Sequence, residues 1–380
     1  MIKLNRKQDC CGCTACASIC TKKCIRMKED NEGFLYPETD TTLCVNCNAC
    51  NNVCPVINKK DRRIPLQSYA AINKDSETLL KSSSGGVFSS LAEYVLCQGG
   101  LVFGAVWEEG KVVHTYIDNL DELYRMRGSK YVQSDLKDSF SQARQFLNEG
   151  RQVLFSGTPC EIGGLKSYLR KEYDNLLTID VACHGAPSPR VLSLYFSELK
   201  KKYGNDVKLD FRSKPDGWQD YKVTAFSGDK HFFYEGQKEN IFMKGFLREL
   251  YSRPSCHECA FKEFRSQSDI TLADFWGVQD ILPELDIQKG VSLVLLNTEK
   301  ARNVFYNLHN SITTIQVSIS DALRKNGALL HTEEPHPERE YFFRKLRKGN
   351  ISELIEKCIT LRKITKLRLL FNAYRHKFGL

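Results

Sequence analysis

Residues 151–185 read RQVLFSGTPCEIGGLKSYLRKEYDNLLTIDVACHG. RQVLFSG (151–157) and LLTIDVA (176–182) are short apolar runs rich in branched residues, the pattern of buried strands. Between them EIGGLKSYLRKEY (161–173) reads as a crossover helix. Strand, helix, strand at this spacing predicts a parallel pair, because parallel strands need a long crossover. Cys160 ends the turn SGTPC, and Cys183 ends the second strand before His184-Gly185. Parallel neighbours lie ~4.8 Å apart, so both thiols emerge on one sheet edge. That carboxyl edge is where open α/β sheets place ligands.

Working outward, SYAAIN (68–73) and LVFGAVW (101–107) read as further strands. VFSSLAEYVLCQ (87–98) between them has helical spacing and stops at Gly99-Gly100. A more polar stretch at about 205–250 carries the turn Pro215-Asp216-Gly217-Trp218 and antiparallel strands such as YKVTAF. DITLADFWG (269–277) and GVSLVLLN (290–297) extend the sheet, and EEPHPERE (333–340) breaks the pattern before a helical run. The expected fold class is α/β, α+β overall. A cysteine-rich module (1–57) is joined by the linker Asn58–Arg63 to a mixed-sheet domain in two parts (65–150 and 151–330), with a helical tail (341–380).

The chain has 380 residues, with 55 Lys+Arg against 46 Asp+Glu, a net charge of +9. That length suggests two or three domains at ~150 residues each. With 42% apolar and 27% charged residues, the balance excludes a disordered chain. No apolar run approaches the ~18 residues that span a bilayer, and MIKLNRKQDCCGC has no signal-peptide core. A cytosolic protein is expected. The mild charge does not discriminate among nucleic acid, anionic membranes and acidic partners, and no nucleic-acid partner is expected. The tail has no acidic residue after Lys357 but carries Arg362, Lys363, Lys366, Arg368, Arg375 and Lys377. Such a helix either packs its Ile/Leu stripe on the domain or touches an anionic membrane peripherally.

Ten of the sixteen cysteines fall within the first 54 residues. So short a segment cannot bury enough apolar area to hold itself together, and a reducing cytosol disfavours disulfides. Cys10, Cys13, Cys16 and Cys20 follow C-x2-C-x2-C-x3-C. Cys44, Cys47, Cys50 and Cys54 repeat it, with Pro55 next. This is the two-cluster ferredoxin run, in which the fourth cysteine of each motif ligates the other cluster. One [4Fe–4S] cluster is therefore assigned to Cys10, Cys13, Cys16 and Cys54, and the other to Cys44, Cys47, Cys50 and Cys20. Zinc prefers two well-separated C-x2-C pairs and fits this density poorly. Thr21 stands where a proline is usual, and Cys11 and Cys24 are read as extra thiols packed near the clusters.

Farther along, Cys256-His257-Glu258-Cys259 supplies a C-x2-C pair. With Cys160 and Cys183 it makes a candidate four-thiolate site. Lone cysteines are commonly buried small hydrophobes, and on spacing alone zinc stays open here, with His184 or His257 as a substitute ligand. Cys97 and Cys358 read as structural. The loop Lys81-Ser82-Ser83-Ser84-Gly85-Gly86 precedes a helix and suits either a cap or an anion. Gly128-Ser129-Lys130-Tyr131 and Ser156-Gly157-Thr158 offer further polar contacts. None is a G-x-G-x-x-G or Walker A loop.

Taken together, SSSGGVFSSLAEYVL, GSKYVQSD, VLFSGTPCEIGGLKSYL, DVACHGAPSP, SCHECAFKEFRSQSDITLADFWG and the dicluster run resemble the β-subunit family of coenzyme F420-reducing hydrogenase and formate dehydrogenase. The likeness, to the version with an N-terminal dicluster ferredoxin domain, covers about residues 5 to 300. It implies non-covalent FAD and a third [4Fe–4S] cluster on Cys160, Cys183, Cys256 and Cys259. Ser84, Gly85, Gly86, Lys130, Tyr131, Gly157 and Thr158 fall in segments resembling the flavin pocket. The implied activity is an FAD- and iron–sulfur-dependent oxidoreductase exchanging electrons with a ferredoxin or other redox partner and hydride with F420 or another small organic molecule. A sugar-linked reduction serving cell-surface polysaccharide synthesis is included, and no catalytic residue is assigned. The rival readings are an electron-transfer subunit without substrate chemistry, wiring a partner enzyme to ferredoxin, and a zinc-stabilised binding protein.

Overall fold

The computed structural model describes residues 1–346 and 350–360. Its strands are β1 (Ile25–Glu29), β2 (Leu35–Thr39), β3 (Gln67–Asn73), β4 (Leu101–Glu108), β5 (Lys111–Ile117), β6 (Val153–Gly157), β7 (Leu176–Val181), β8 (Lys208–Ser213), β9 (Lys222–Ser227), β10 (Lys230–Gly236), β11 (Ile270–Asp274), β12 (Ser292–Leu296) and β13 (Ile312–Val317). β6 and β7 are parallel neighbours, as read, with Gly157 opposite Asp180. The crossover helix between them, Pro159–Leu169, begins two residues earlier than its apolar spacing suggests. Thr158 caps it in a reciprocal box with Glu161, and Pro159 sits in the first turn, where its missing N–H costs nothing. It ends at Arg170, which turns left-handed.

β4 and β11 continue the parallel core on either side. Antiparallel strands finish the sheet, whose order is β13-β3-β12-β11-β7-β6-β4-β5. β3 thus lies between two strands that follow it by more than 200 residues, and the stretches before and after residue 150 share one sheet. Alternate residues face opposite layers. Val102, Leu154 and Ile179 pack under the helix Val87–Cys97. Phe103 and Phe155 pack under the helix Pro159–Leu169. Leu165 of that helix is fully buried, and truncation of such a residue to Ala costs about 2–5 kcal/mol.

The cysteine-rich module does not stand apart. Cys11, Cys13, Ala15 and Val53 belong to the same apolar cluster as Leu165 and Phe155. A separate three-stranded sheet, β10-β9-β8, packs with the helices Pro189–Tyr203 and Ile241–Leu247. Phe342, Ile351, Ile355 and Cys358 of the tail are buried in that cluster. The described part of the tail therefore packs on the protein, and its basic residues from Arg362 onward lie outside the described residues. Cys97 ends its helix exposed. Among the described residues no helix is long and apolar enough to cross a membrane.

Candidate metal centres

The two N-terminal runs fold alike. Gly12 and Asn46 stand two residues after the first cysteine of each run and are both left-handed. So are Thr14 and Asn48, four residues after it. A short helix follows each, Ala15–Ser18 carrying Cys16 and Ala49–Asn52 carrying Cys50. L-residues adopt this conformation at a cost, and its repetition shows that the cysteine loops, not local propensity, set the backbone. Left-handed residues interleaved with right-handed ones turn successive N–H groups inward, the nest found at anion and iron–sulfur sites.

Cys10, Cys13, Cys16 and Cys54 line one cavity of about 340 Å³, its mouth included, together with Ile2, Leu4, Met27, Pro37 and Val56. Burial pushes the Cys16 thiol up to about 12, with Cys10 and Cys54 adding to the effect. Thiols that oppose each other's ionisation are reconciled by a cation among them. In the second group Cys20 Sγ lies 3.3 Å from Cys24 Sγ, and Cys24 also meets Cys44. Cys50 is buried beside Cys16, whereas Cys47 is exposed. Cys24, read as a bystander, is thus in contact with two thiols of this group.

The dispersed cysteines converge as well. Cys160, Cys183, Cys256 and Cys259 line one cavity of about 840 Å³, its mouth included. The parallel register of β6 and β7 delivers the first two. A 3-10 turn at Pro254–Cys256 delivers the C-x2-C pair, and the Ala186 N–H donates to Cys256 Sγ at 3.3 Å. Burial raises Cys183 well above the ordinary thiol range, with Cys256 and Cys160 adding to it. Cys256 is pushed up to about 12 by burial, then by Cys160. His184 shares the cavity wall. His257 does not, and its Nδ1 bonds the Glu333 carbonyl at 2.9 Å. Among the described residues no three His, Cys, Asp or Glu side chains are closed on a single-ion position. Thiols framing a cavity suit a cubane, in which each meets a different iron, better than zinc, which draws its ligands onto one centre.

Cys11 joins the two cavities: it lines both, as Val56 does, and its buried thiol contacts those of Cys13 and Cys160. The approach is close because the helix Pro159–Leu169 carries Gly163 and Gly164. A Cβ at Gly164 would stand 2.6 Å from that of Cys13. Sequence reading missed three residues on the wall of the larger cavity. Asp180 is hydrogen-bonded to Ser266 and Thr271. Lys262 donates to the Cys183 carbonyl at 2.8 Å. Arg253 is treated below. Lys262 and Arg253 flank the C-x2-C pair, and that proximity was the available signal.

The flavin candidates divide. Gly157 and Thr158 sit by the inner thiols, with Thr158 Oγ1 3.2 Å from Cys160 Sγ. Ser84, Gly85 and Gly86 are closed within the fold. Ser84 Oγ donates to the Val291 carbonyl, the Gly85 N–H donates to Ser292 Oγ, and the Gly86 carbonyl accepts from Asn73. Gly85 is required by packing, since a Cβ there would lie 2.3 Å from the Ala71 carbonyl oxygen. Beside this loop are one buried cation, Arg212, and two half-buried lysines. Lys130 Nζ is held by the carbonyls of Met126, Arg127 and Gly128. Lys214 Nζ is held by those of Leu79, Ser84 and Lys289. Burial lowers Lys130 to about 8 and Lys214 to about 7. Arg212 pairs with Asp274 at 2.7 Å and donates to the Tyr131 hydroxyl at 3.2 Å.

A family model describing the C-terminal part of the coenzyme F420 hydrogenase/dehydrogenase beta subunit matches residues 150–319. Those residues are similar to the C-terminal domain of that family. All four inner cysteines fall inside the F420 hydrogenase/dehydrogenase match, and both N-terminal runs fall outside it. No curated protein matches the chain. Among solved structures, a chain of the F420-reducing [NiFe] hydrogenase complex from Methanosarcina barkeri, solved with xenon, is similar at 14% identity and a TM-score of 0.46. The alignment covers 79% of this chain and 90% of that one.

Proposed function

We propose that the protein is an iron–sulfur oxidoreductase subunit of the F420 hydrogenase/dehydrogenase β-subunit type. It would move electrons between a redox partner and a small hydride-exchanging molecule. Cys10, Cys13, Cys16 and Cys54 would hold one [4Fe–4S] cluster, Cys44, Cys47, Cys50 and Cys20 an outer one, and Cys160, Cys183, Cys256 and Cys259 an inner one. One observation carries this reading: four cysteines dispersed over a hundred residues line a single cavity, which shares Cys11 and Val56 with the cavity of the first N-terminal set. That arrangement supports three thiol groups in series from the exposed Cys47 inward.

FAD, implied by the resemblance, would supply the exchange between hydride and single electrons. The groups that suit it are Lys130 and Lys214. They are half-buried lysines whose hydrogen-bond acceptors are backbone carbonyls, and a pyrophosphate would add negative charge to that of the nearby Asp210. The organic partner is a deazaflavin or another hydride carrier, a sugar-linked acceptor included. The closed hydrogen bonds of Ser84–Gly86 favour a second reading, an electron-transfer protein with no substrate pocket of its own. Iron, zinc, acid-labile sulfide and flavin per chain, on protein purified without oxygen, decide between them. Three cubanes require ~12 iron. That iron with one flavin supports the first reading, the same iron without flavin supports the second, and zinc in place of iron sinks both.

A further inference from the structure

Arg253 is 1% exposed. Its Nε donates to the Cys10 carbonyl at 2.8 Å, and one terminal nitrogen donates to Gln133 Oε1 at 2.8 Å. The other donates to the Leu35 carbonyl at 2.9 Å and reaches Cys10 Sγ at 3.7 Å. The guanidinium lies over the Tyr36 ring, 4.3 Å from its centroid. Every one of these partners is formally neutral. A fully buried charge without a counter-charge is costly, and proteins tolerate it where an anion completes the site. The backbone of the same residue belongs to the other thiol group: its carbonyl accepts from the Cys256 N–H at 2.9 Å, and its N–H donates to the Ala186 carbonyl. Arg253 is also on the wall of the cavity of Cys160, Cys183, Cys256 and Cys259, and its charge acts on the Cys256 thiol.

We propose that Arg253 is the counter-charge shared by the two clusters that meet at Cys11, and that it raises the reduction potential of both. The inference rests on the cluster assignment above. Four thiolates give a cubane net negative charge, and each added electron makes it more negative. A buried cation at hydrogen-bonding distance from one thiol and on the cavity wall of the other set favours the reduced state of each. The planar fork suits this role, because three directions of donation hold the charge fixed where an ammonium would swing. The outer cluster of Cys44, Cys47, Cys50 and Cys20 shares none of these contacts and serves as an internal reference.

The test is a stepwise reductive titration of the whole protein without oxygen, followed by electron paramagnetic resonance. Iron per chain is counted first, and the outer signal is identified by its loss in Cys47→Ser. In Arg253→Gln both inner signals are expected to shift to lower potential while the outer one stays. Arg253→Lys should shift them less. Gln133→Glu leaves the arginine in place and adds a negative charge beside it, so it should shift the same two signals in the same direction. It carries the test if Arg253→Gln fails to hold its iron. Unmoved inner signals at full iron, or an equal shift of all three, overturn the proposal. A shortfall of iron in the unmutated protein instead counts against the three-cluster assignment.

Discussion

The two N-terminal cysteine runs share their spacing and their left-handed positions, yet they sit in different surroundings. Cys13 is buried against the glycine face of the helix Pro159–Leu169, and Cys47, its counterpart, is exposed. Loops of the same backbone form thus differ in what packs on them. One run seals into the α/β core, and the other keeps a thiol at the surface. The difference lies in how much of each run the core covers: Cys11, Cys13 and Ala15 of the first join the cluster of Phe140 and Leu165, and the second contributes Val53.

Replacing the two counterparts should separate the roles most strongly. Cys13→Ala is expected to cost iron and cooperative folding together, because ligand and core are the same residue. Cys47→Ala should lose about four of ~12 iron while the rest unfolds cooperatively. Iron analysis with thermal unfolding reads both, and equal losses would erase the distinction.

The inner side carries a second asymmetry, a buried carboxyl. Burial raises Glu249 from 4.5 to about 7. A carboxyl raised in the folded state destabilises it when ionised. The penalty is absent below 4.5, grows between 4.5 and 7, and is full above 7. Glu249→Gln should therefore stabilise the protein at pH 8 by up to about 3 kcal/mol and leave it unchanged at pH 4, as denaturant titrations at the two values would show. A gain equal at both pH values would mean that packing, not charge, is responsible.

The smallest effect concerns the close approach itself. Gly164→Ala should cost about 1–3 kcal/mol by forcing the Cys13 loop away from the helix. Gly327, where a Cβ would meet nothing within 4 Å, should tolerate Ala within about 0.5 kcal/mol. If Gly164→Ala proves as mild as Gly327→Ala, the seal between module and core is looser than these contacts imply.

The parallel pair around Cys160 and Cys183 was readable because both its strands are short apolar runs and its crossover is local. The placement of β3 between β12 and β13 was not, since pairing over such separations leaves no local pattern. Equally, the N-terminal cysteines announced themselves by spacing, whereas the contacts of Cys11 with Cys160 and of Cys24 with Cys44 depend on tertiary packing. The Ser84–Gly86 loop illustrates the reverse. Its composition suited a phosphate cradle, but its glycine answers to the Ala71 carbonyl and Ser292 on neighbouring strands. That the Arg253 side chain is buried has no signature of its own beyond its nearness to the C-x2-C pair, because nothing local reveals that an arginine is buried.

The position of β3 also bears on how the protein is made. Residues 67–73 cannot complete their pairing until residues 312–317 have been synthesised. At about 5–20 residues per second, the roughly 250 intervening residues take on the order of 12–50 s to emerge. Cys256 and Cys259 follow Cys54 by about 200 residues, so for much of that interval only the N-terminal thiols and then those of Cys160 and Cys183 have been synthesised. A metal centre on the N-terminal sets could thus assemble on the nascent chain before the dispersed set is complete.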